Sequence, residues 1–396
     1  MEYRFADRIS KVSPSAIREL FKFTQDPEVI SFAAGSPSQE AFPVEELKEI
    51  ANEIFSEMPY GVLKYGVSEG YEPLRQQIKD AMKAEKTFRE EADNLFITSG
   101  AQQVMDLLTK TICNEHDVVL SEEPAFVGSL NTFKTYNVDL VGVKVGADGM
   151  DIDDLEAKLE KYGDRVKFIY TIPNFQNPMG FTMPIEKRKA LYDLAKKYQV
   201  IVLEDNPYGK LRTSGEEVAN IKTFDDEGLV VYAGTFSKIL APGIRVGYVI
   251  GPEKLIAKMI VGKQATDVHT SLFAQVLASK FIERTNMPEY FKSLQAIYRK
   301  KVDFMSEQID KYLLDYVTYN KPEGGLFIWC QLKDGIDMQA FCKKALENKV
   351  AVVPGSSFMI DGQNINSFRL NFSNPSDEDI VKGMQLLAKT AESMIK

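Results

Sequence analysis

The sequence predicts an α/β protein with a mostly parallel central sheet sandwiched by helices, followed by a second, smaller α+β domain. Three observations carry this reading. Short apolar runs alternate with helix-period segments through the middle of the chain. Those runs are near-continuously apolar, as strands covered on both faces are. From about residue 287 the alternation gives way to long helical stretches and a few short strands. The length of 396 residues allows two or three domains and a sizeable core.

The N-terminal stretch, about 35 residues, shows no strand with an evident sheet companion and is expected to pack against the smaller domain. Candidate strands follow at 94–99, 118–122, 138–145, 166–173, 200–205, 229–236 and 245–251. Amphipathic segments such as GAQQVMDLLTKTI, DIDDLEAKLEKYG and PIEKRKALYDLAKKYQ separate them and read as covering helices. Beyond MPEYFKSLQAIYRKKVDFMSEQIDKYL, the runs LFIWCQL, VAVVPG and SFRLNF read as strands around a helix through DMQAFCKKALENK. Ser376, with Asp379 three residues on, is a capping-box start for the last helix. The expected division is an N-terminal segment (1–35), a large domain (36–286) and a small C-terminal domain (287–396).

Composition excludes several functions. Hydrophobic residues at 44% and charged residues at 27% are ordinary for a globular chain. A net charge of −9 gives no electrostatic basis for binding nucleic acid. No apolar run approaches the ~18 residues of a membrane span, and the first residues lack the apolar core of a secretory leader. Cys113, Cys330 and Cys342 are scattered and odd in number, which points to a reducing cytoplasm rather than a disulfide framework. The two histidines, His116 and His269, match no metal spacing, so no metal is expected.

In open parallel sheets ligands bind beyond the carboxyl ends of the strands, and the chemistry-bearing residues collect there. Lys238 follows the apolar run LVVYAGTF, where desolvation lowers an amine's pKa and readies it to carry an aldehyde. Asp205 closes VIVLED one βα unit earlier. An amine and a buried carboxylate are what an aldehyde-bearing pyridine needs, one to hold it and one to keep its ring nitrogen protonated. Each residue also has an ordinary role, Lys238 as a solvated loop lysine and Asp205 as a turn former. Tyr208, three residues past Asp205, and Asn177, in PNFQNPMG, are suited to a phenolic oxygen.

A phosphate needs backbone N–H groups and a cation. Gly100, Ala101 and Gln102 open a helix directly after a strand, an anion site by geometry. Ser237 and Arg245 flank the lysine and complete that cradle, although Arg245 equally suits a surface ion pair. Phe126, past another strand end, is placed to stack on a ring or to join the core. Arg369, in SFRLNF, is suited to a bidentate grip on a substrate carboxylate, or to the exposed salt bridge that a strand arginine more often makes. Together these residues read as a site for pyridoxal 5′-phosphate.

The motifs FAAGSP, LKYGVSEGYEPLR, TSGAQQ, EEPAF, PNFQNPMG, LEDNPYG and GTFSKILAPGIRVGY occur in this order. So arranged, the chain resembles class I/II aminotransferases of the pyridoxal-phosphate fold type I superfamily, over residues 10 to 390. It is most similar to the branch with 2-aminoadipate, kynurenine and aromatic or branched-chain aminotransferases. The resemblance implies transfer of an amino group from an L-amino acid to 2-oxoglutarate by a ping-pong route. A lyase or decarboxylase using the same cofactor is the alternative within enzymes. A non-catalytic effector-binding domain of a regulator is the alternative outside them, and the acidic charge opposes it.

The same resemblance makes Lys238 the cofactor-bearing lysine and Asp205 the partner of the pyridine nitrogen. It assigns Asn177 and Tyr208 to the phenolic oxygen, with Asn177 also near substrate. Gly100, Ala101, Gln102, Ser237 and Arg245 fall on the phosphate, and Arg369 falls on the substrate carboxylate. Gly35 lines the substrate pocket, and Tyr65 reaches the phosphate from the second subunit of a homodimer. Ala101 and Phe126 stand where relatives often carry serine and tyrosine, which removes two hydroxyls but no essential group. The resemblance also implies that substrate selectivity involves the N-terminal segment around Ile17, Arg18 and Leu20. These residues also suit an ordinary amphipathic helix, which is the leading expectation.

Overall fold

An eight-stranded sheet forms the centre of the computed structural model, which describes residues 3–10, 12, 26–333 and 335–395. Ile17, Arg18 and Leu20 lie outside the described residues. The spatial order is Asp93–Thr98, Gly247–Pro252, Val230–Thr235, Ile201–Asp205, Val166–Thr171, Val118–Glu123, Asp139–Gly146 and Gly149–Met150. Pairing is parallel from Val230–Thr235 through Asp139–Gly146. Gly247–Pro252 runs against both its neighbours, and Gly149–Met150 closes a short hairpin.

The apolar runs form these strands because both faces are covered. Every residue of Val230–Thr235 is buried, as are five of the six in Val166–Thr171. The covering helices include Ala101–Ile112, Ile152–Tyr162, Ile185–Tyr198 and Leu272–Arg284. Asp151 caps Ile152–Tyr162 by accepting from Asp154 N, and Ser271 caps Leu272–Arg284 by accepting from Ala274 N. Burying each large apolar side chain in such an interface contributes roughly 1.5–3 kcal/mol. Asp93–Thr98, Val118–Glu123, Val166–Thr171, Ile201–Asp205 and Val230–Thr235 all point the same way. Their carboxyl ends therefore share one edge of the sheet.

A second sheet of four strands, in the order Val317–Tyr319, Phe327–Leu332, Ser367–Asn371 and Val353–Pro354, is wholly antiparallel. The helix Met287–Tyr312 precedes it, capped by Asn286 accepting from Glu289 N, with proline in its first turn. Ser376 caps the last helix by accepting from Asp379 N.

Two local expectations need correction. The N-terminal stretch does have a sheet companion, since Ile30–Ser31 pairs in parallel with Val350–Ala351. The run VAVVPG is not one strand either. Val350–Ala351 serves Ile30–Ser31, whereas Val353–Pro354 joins the four-stranded sheet beside Arg369 and Phe368. A strand of two residues has no detectable alternation, so periodicity cannot report it. No described helix is long and apolar enough to cross a membrane. Among the described residues no cluster of three metal-ligating side chains occurs.

Candidate active site

Lys238 sits in a turn three residues beyond the strand Val230–Thr235, rather than on the strand's last residue. Its Nζ donates to the Gly35 carbonyl at 2.7 Å. Burial, then the positive charges of Arg369 and Arg245, pull its pKa down from 10.5 to about 8. Half-buried and without a carboxylate among its hydrogen-bond partners, the amine is readily deprotonated.

Asp205 is buried at the end of Ile201–Asp205. Its Oδ2 accepts from the Tyr170 hydroxyl at 2.9 Å, while Oδ1 is buried with no partner. Burial raises its pKa from 3.8 to about 7, with Tyr170's hydrogen bond opposing the rise. A shift of that size corresponds to roughly 4 kcal/mol in favour of the neutral acid. A positively charged hydrogen-bond donor at Oδ1 would reverse the preference.

Asn177 and Arg369 meet on the far side. Arg369 Nη1 donates to Asn177 Oδ1 at 2.8 Å, and Nη2 donates to the Ala33 carbonyl at 2.8 Å. Arg369 Nε is buried without a partner. The guanidinium lies 4.1 Å above the Phe327 ring centroid and 5.0 Å from that of Phe358. Tyr208, buried and edge-on to Phe327 at 5.9 Å, shares a hydrogen bond with the Asn177 side chain. Arg188 fixes the loop carrying Asn177: its Nη2 donates to the Pro173 carbonyl and Asn174 Oδ1, and its Nε to the Met183 carbonyl.

The residues expected to cradle an anion gather around Gly100, whose φ of +79° suits glycine. A Cβ there would collide with Arg245 Nη2, so the glycine also makes room for the guanidinium. Arg245 Nη2 donates to the Ser99 carbonyl at 2.9 Å, and Nη1 to Ser237 Oγ at 3.4 Å. Among the described residues Arg245 makes these contacts with the two loops and no ion pair, the other role the sequence allowed it. The helix Ala101–Ile112 starts at Gly100, which has no side chain to cap it, and among the described residues no other side chain accepts from its first N–H groups. Gln102 Nε2 donates to the Gly128 carbonyl, beside which the Phe126 ring packs.

The sequence-derived residues Gly35, Gly100, Ala101, Gln102, Phe126, Asn177, Asp205, Tyr208, Ser237, Lys238, Arg245 and Arg369 therefore lie in one connected region. Tyr65 stands apart in this chain, 88% exposed and edge-on to His269 at 5.9 Å. Sequence reasoning missed Tyr170, Ser129 and the carbonyls of Ala33, Gly35 and Ser99. Tyr170 carries a signal in retrospect: its hydroxyl is a polar tip within a strand otherwise buried in apolar surroundings, and it needs a partner.

These features fit pyridoxal 5′-phosphate. The orphaned Asp205 Oδ1 matches a protonated ring nitrogen, the depressed Lys238 amine matches an aldehyde, and the uncapped helix start beside Arg245 matches a phosphate. The family model for aminotransferase class I and II matches residues 27–387. Aromatic-amino-acid aminotransferase 1 of Thermococcus litoralis is 39% identical, over 100% of this chain and 95% of its own length. The crystal structure of Pyrococcus horikoshii kynurenine aminotransferase with PMP and kynurenine superposes with a TM-score of 0.94 at 36% identity, covering 99% of this chain and 98% of that one. That of LysN, the Thermus thermophilus α-aminoadipate aminotransferase with N-(5′-phosphopyridoxyl)-L-leucine, gives 0.90 at 31%, covering 98% and 97%. The fold and the family match define an enzyme that uses pyridoxal phosphate. More particularly, the chain belongs to the aminotransferase class I and II family and is a pyridoxal-phosphate-dependent aminotransferase.

Proposed function

We propose that this enzyme moves the amino group of aromatic, branched-chain and 2-aminoadipate-like L-amino acids to 2-oxoglutarate, and that Lys238 and Arg369 carry the reaction. One observation bears most of the weight. Lys238 Nζ and Arg369 Nη2 donate to carbonyls two residues apart, those of Gly35 and Ala33. A single backbone segment thus brings a deprotonatable amine beside a carboxylate-binding cation. The names of the relatives supply the aromatic and 2-aminoadipate classes, and the L-leucine adduct bound to LysN suggests the branched one.

In this reading Arg369 binds the substrate carboxylate, for which its unpartnered Nε is a free donor. Lys238 then takes the proton from the substrate Cα and returns it as a general acid. When bound, pyridoxal 5′-phosphate supplies an electron-poor ring that accepts the electron pair left at Cα. Asp205 Oδ1 holds the ring nitrogen, Asn177 and Tyr208 hold the phenolic oxygen, and Phe126 packs against the ring. Gly100, Ala101, Gln102, Ser237 and Arg245 hold the phosphate. Because both half-reactions use one pocket, ping-pong kinetics follow.

We assign the large unit to residues 36–286 and the smaller to 287–396, since every strand of the four-stranded sheet falls in the latter. Of the N-terminal segment assigned to residues 1–35, the strand Ile30–Ser31 goes with the smaller unit, in keeping with its pairing with Val350–Ala351. A homodimer is the assembly we assign, with Tyr65 of each protomer reaching the phosphate of its partner. Tyr60, Leu63, Tyr65 and Val67 are 63–88% exposed, an apolar run in need of cover. The three free cysteines agree with a cytoplasmic location.

A panel of amino donors, each mixed with the loaded enzyme without acceptor, tests the substrate assignment. Aromatic, branched and 2-aminoadipate donors should each convert the cofactor stoichiometrically to its amine form, and 2-oxoglutarate should restore it. Conversion by aspartate or alanine alone rejects the donor classes.

A further inference from the structure

We propose that Tyr170, supported by Ser129, is a positioning residue that fixes the Asp205 carboxylate so that Oδ1, and not Oδ2, is presented to the cofactor's ring nitrogen. The proposal rests on the assignment of Asp205 made above.

The geometry is set by strand register. Tyr170 pairs with Leu203 in the neighbouring parallel strand, and Asp205 is two residues further along. Side chains alternate with period two, so Tyr170 and Asp205 share a face of the sheet. The helix Val127–Lys134 lies over that face and brings Ser129 to the same point. Ser129 Oγ donates to the Tyr170 oxygen at 2.8 Å, and Tyr170 donates to Asp205 Oδ2 at 2.9 Å. A phenol has one proton. With the serine donating to its oxygen, that proton is committed to Asp205.

Packing keeps the arrangement in one position. Tyr170 is fully buried, and the Phe133 ring meets it edge-on at 5.3 Å and 74°. Burial and the charge of Asp205 push the phenol's pKa well up, so the hydroxyl stays a donor. The groups facing Asp205 are Tyr170, Glu122 on the strand beyond, and Tyr208 on the following turn. Of these, Tyr170 makes the hydrogen bond that opposes protonation of Asp205. Replacing tyrosine by phenylalanine keeps the ring but leaves both carboxylate oxygens bare. The acid then holds its proton to higher pH, and neither oxygen is fixed for the ring nitrogen.

The test is a double-mutant cycle on cofactor dissociation, read by absorbance and fluorescence across pH 5–9, with Tyr170→Phe, Asp205→Asn and the double variant. Tyr170→Phe should weaken pyridoxal 5′-phosphate binding by about tenfold or more, the scale of a lost bond to a charged acceptor. It should also move the acid limb of binding to higher pH, and Asp205→Asn should erase both effects. Equal losses with and without Asp205, or an unchanged acid limb, overturn the proposal. If Asp205→Asn leaves binding and turnover unchanged, the assignment of Asp205 fails instead. Should Tyr170→Phe not fold, Ser129→Ala enters the same cycle: a severalfold loss that Asp205→Asn abolishes supports the relay, and an additive loss rejects it.

Discussion

Lys238 should bind an aldehyde at a pH where an ordinary lysine does not. The perturbation is pH itself, applied to the ligand-free chain between 6 and 10. With a pKa of about 8, about a tenth of Lys238 is neutral at pH 7, against roughly three parts in ten thousand for a lysine at 10.5. The gain in reactive amine at pH 7 is therefore about 300-fold. The direction is fixed by the causes: burial disfavours the ammonium form, and Arg369 and Arg245 repel it. The attachment rate of pyridoxal 5′-phosphate, followed by absorbance, should rise with pH and level off above about 8. Borohydride trapping followed by peptide mapping should find the label on Lys238, and Lys238→Ala should lose attachment and turnover while keeping its secondary structure. A rate still climbing tenfold per unit at pH 10, or a label elsewhere, refutes the reasoning. The same shift has a stability sign. Between pH 8 and 10.5 the unfolded chain holds a proton that the folded chain has released, so stability contributed by Lys238 rises across that window.

Gly100→Ala should destabilise the chain by roughly 1–3 kcal/mol, because alanine is strained at φ +79° and ψ 166°. It should also weaken binding of inorganic phosphate by displacing Arg245; thermal melts and phosphate titration read the two effects, and an unchanged variant rejects the cradle. Arg369→Lys should lower kcat/KM by about 100-fold for substrates with an α-carboxylate, since an ammonium cannot replace the fork that also holds Asn177 and Ala33. Steady-state kinetics with an amino acid and with its carboxamide should show that the penalty disappears once the carboxylate is gone.

Much of the site was legible because its residues follow strands directly. Asp205 closes VIVLED with Tyr208 just beyond it, Ser237 and Lys238 trail LVVYAGTF, and Gly100 trails NLFITS. In a parallel sheet these positions share an edge whatever the connections between them. Pairings across long separations were not legible. Tyr170 reaches Asp205 over 35 residues, Lys238 reaches Gly35 over 203, and Arg369 reaches Ala33 over 336. Carbonyl acceptors leave no trace in a sequence, because every residue has one. Short strands escaped for another reason, as two residues carry no period.

The amino-acid order alone determined the layered sheet and its shared strand ends, and it offered there residue types suited to a pyridine, an aldehyde and a phosphate. Local patterns suffice for these, because burial periodicity and turn chemistry act over a few neighbours. Only the folded arrangement decided which oxygen of Asp205 is free, what lowers the Lys238 pKa, and which carbonyls aim Lys238 and Arg369. Those properties are set by desolvation and by contacts between segments distant in the chain, and such contacts exist only once the core has closed around them.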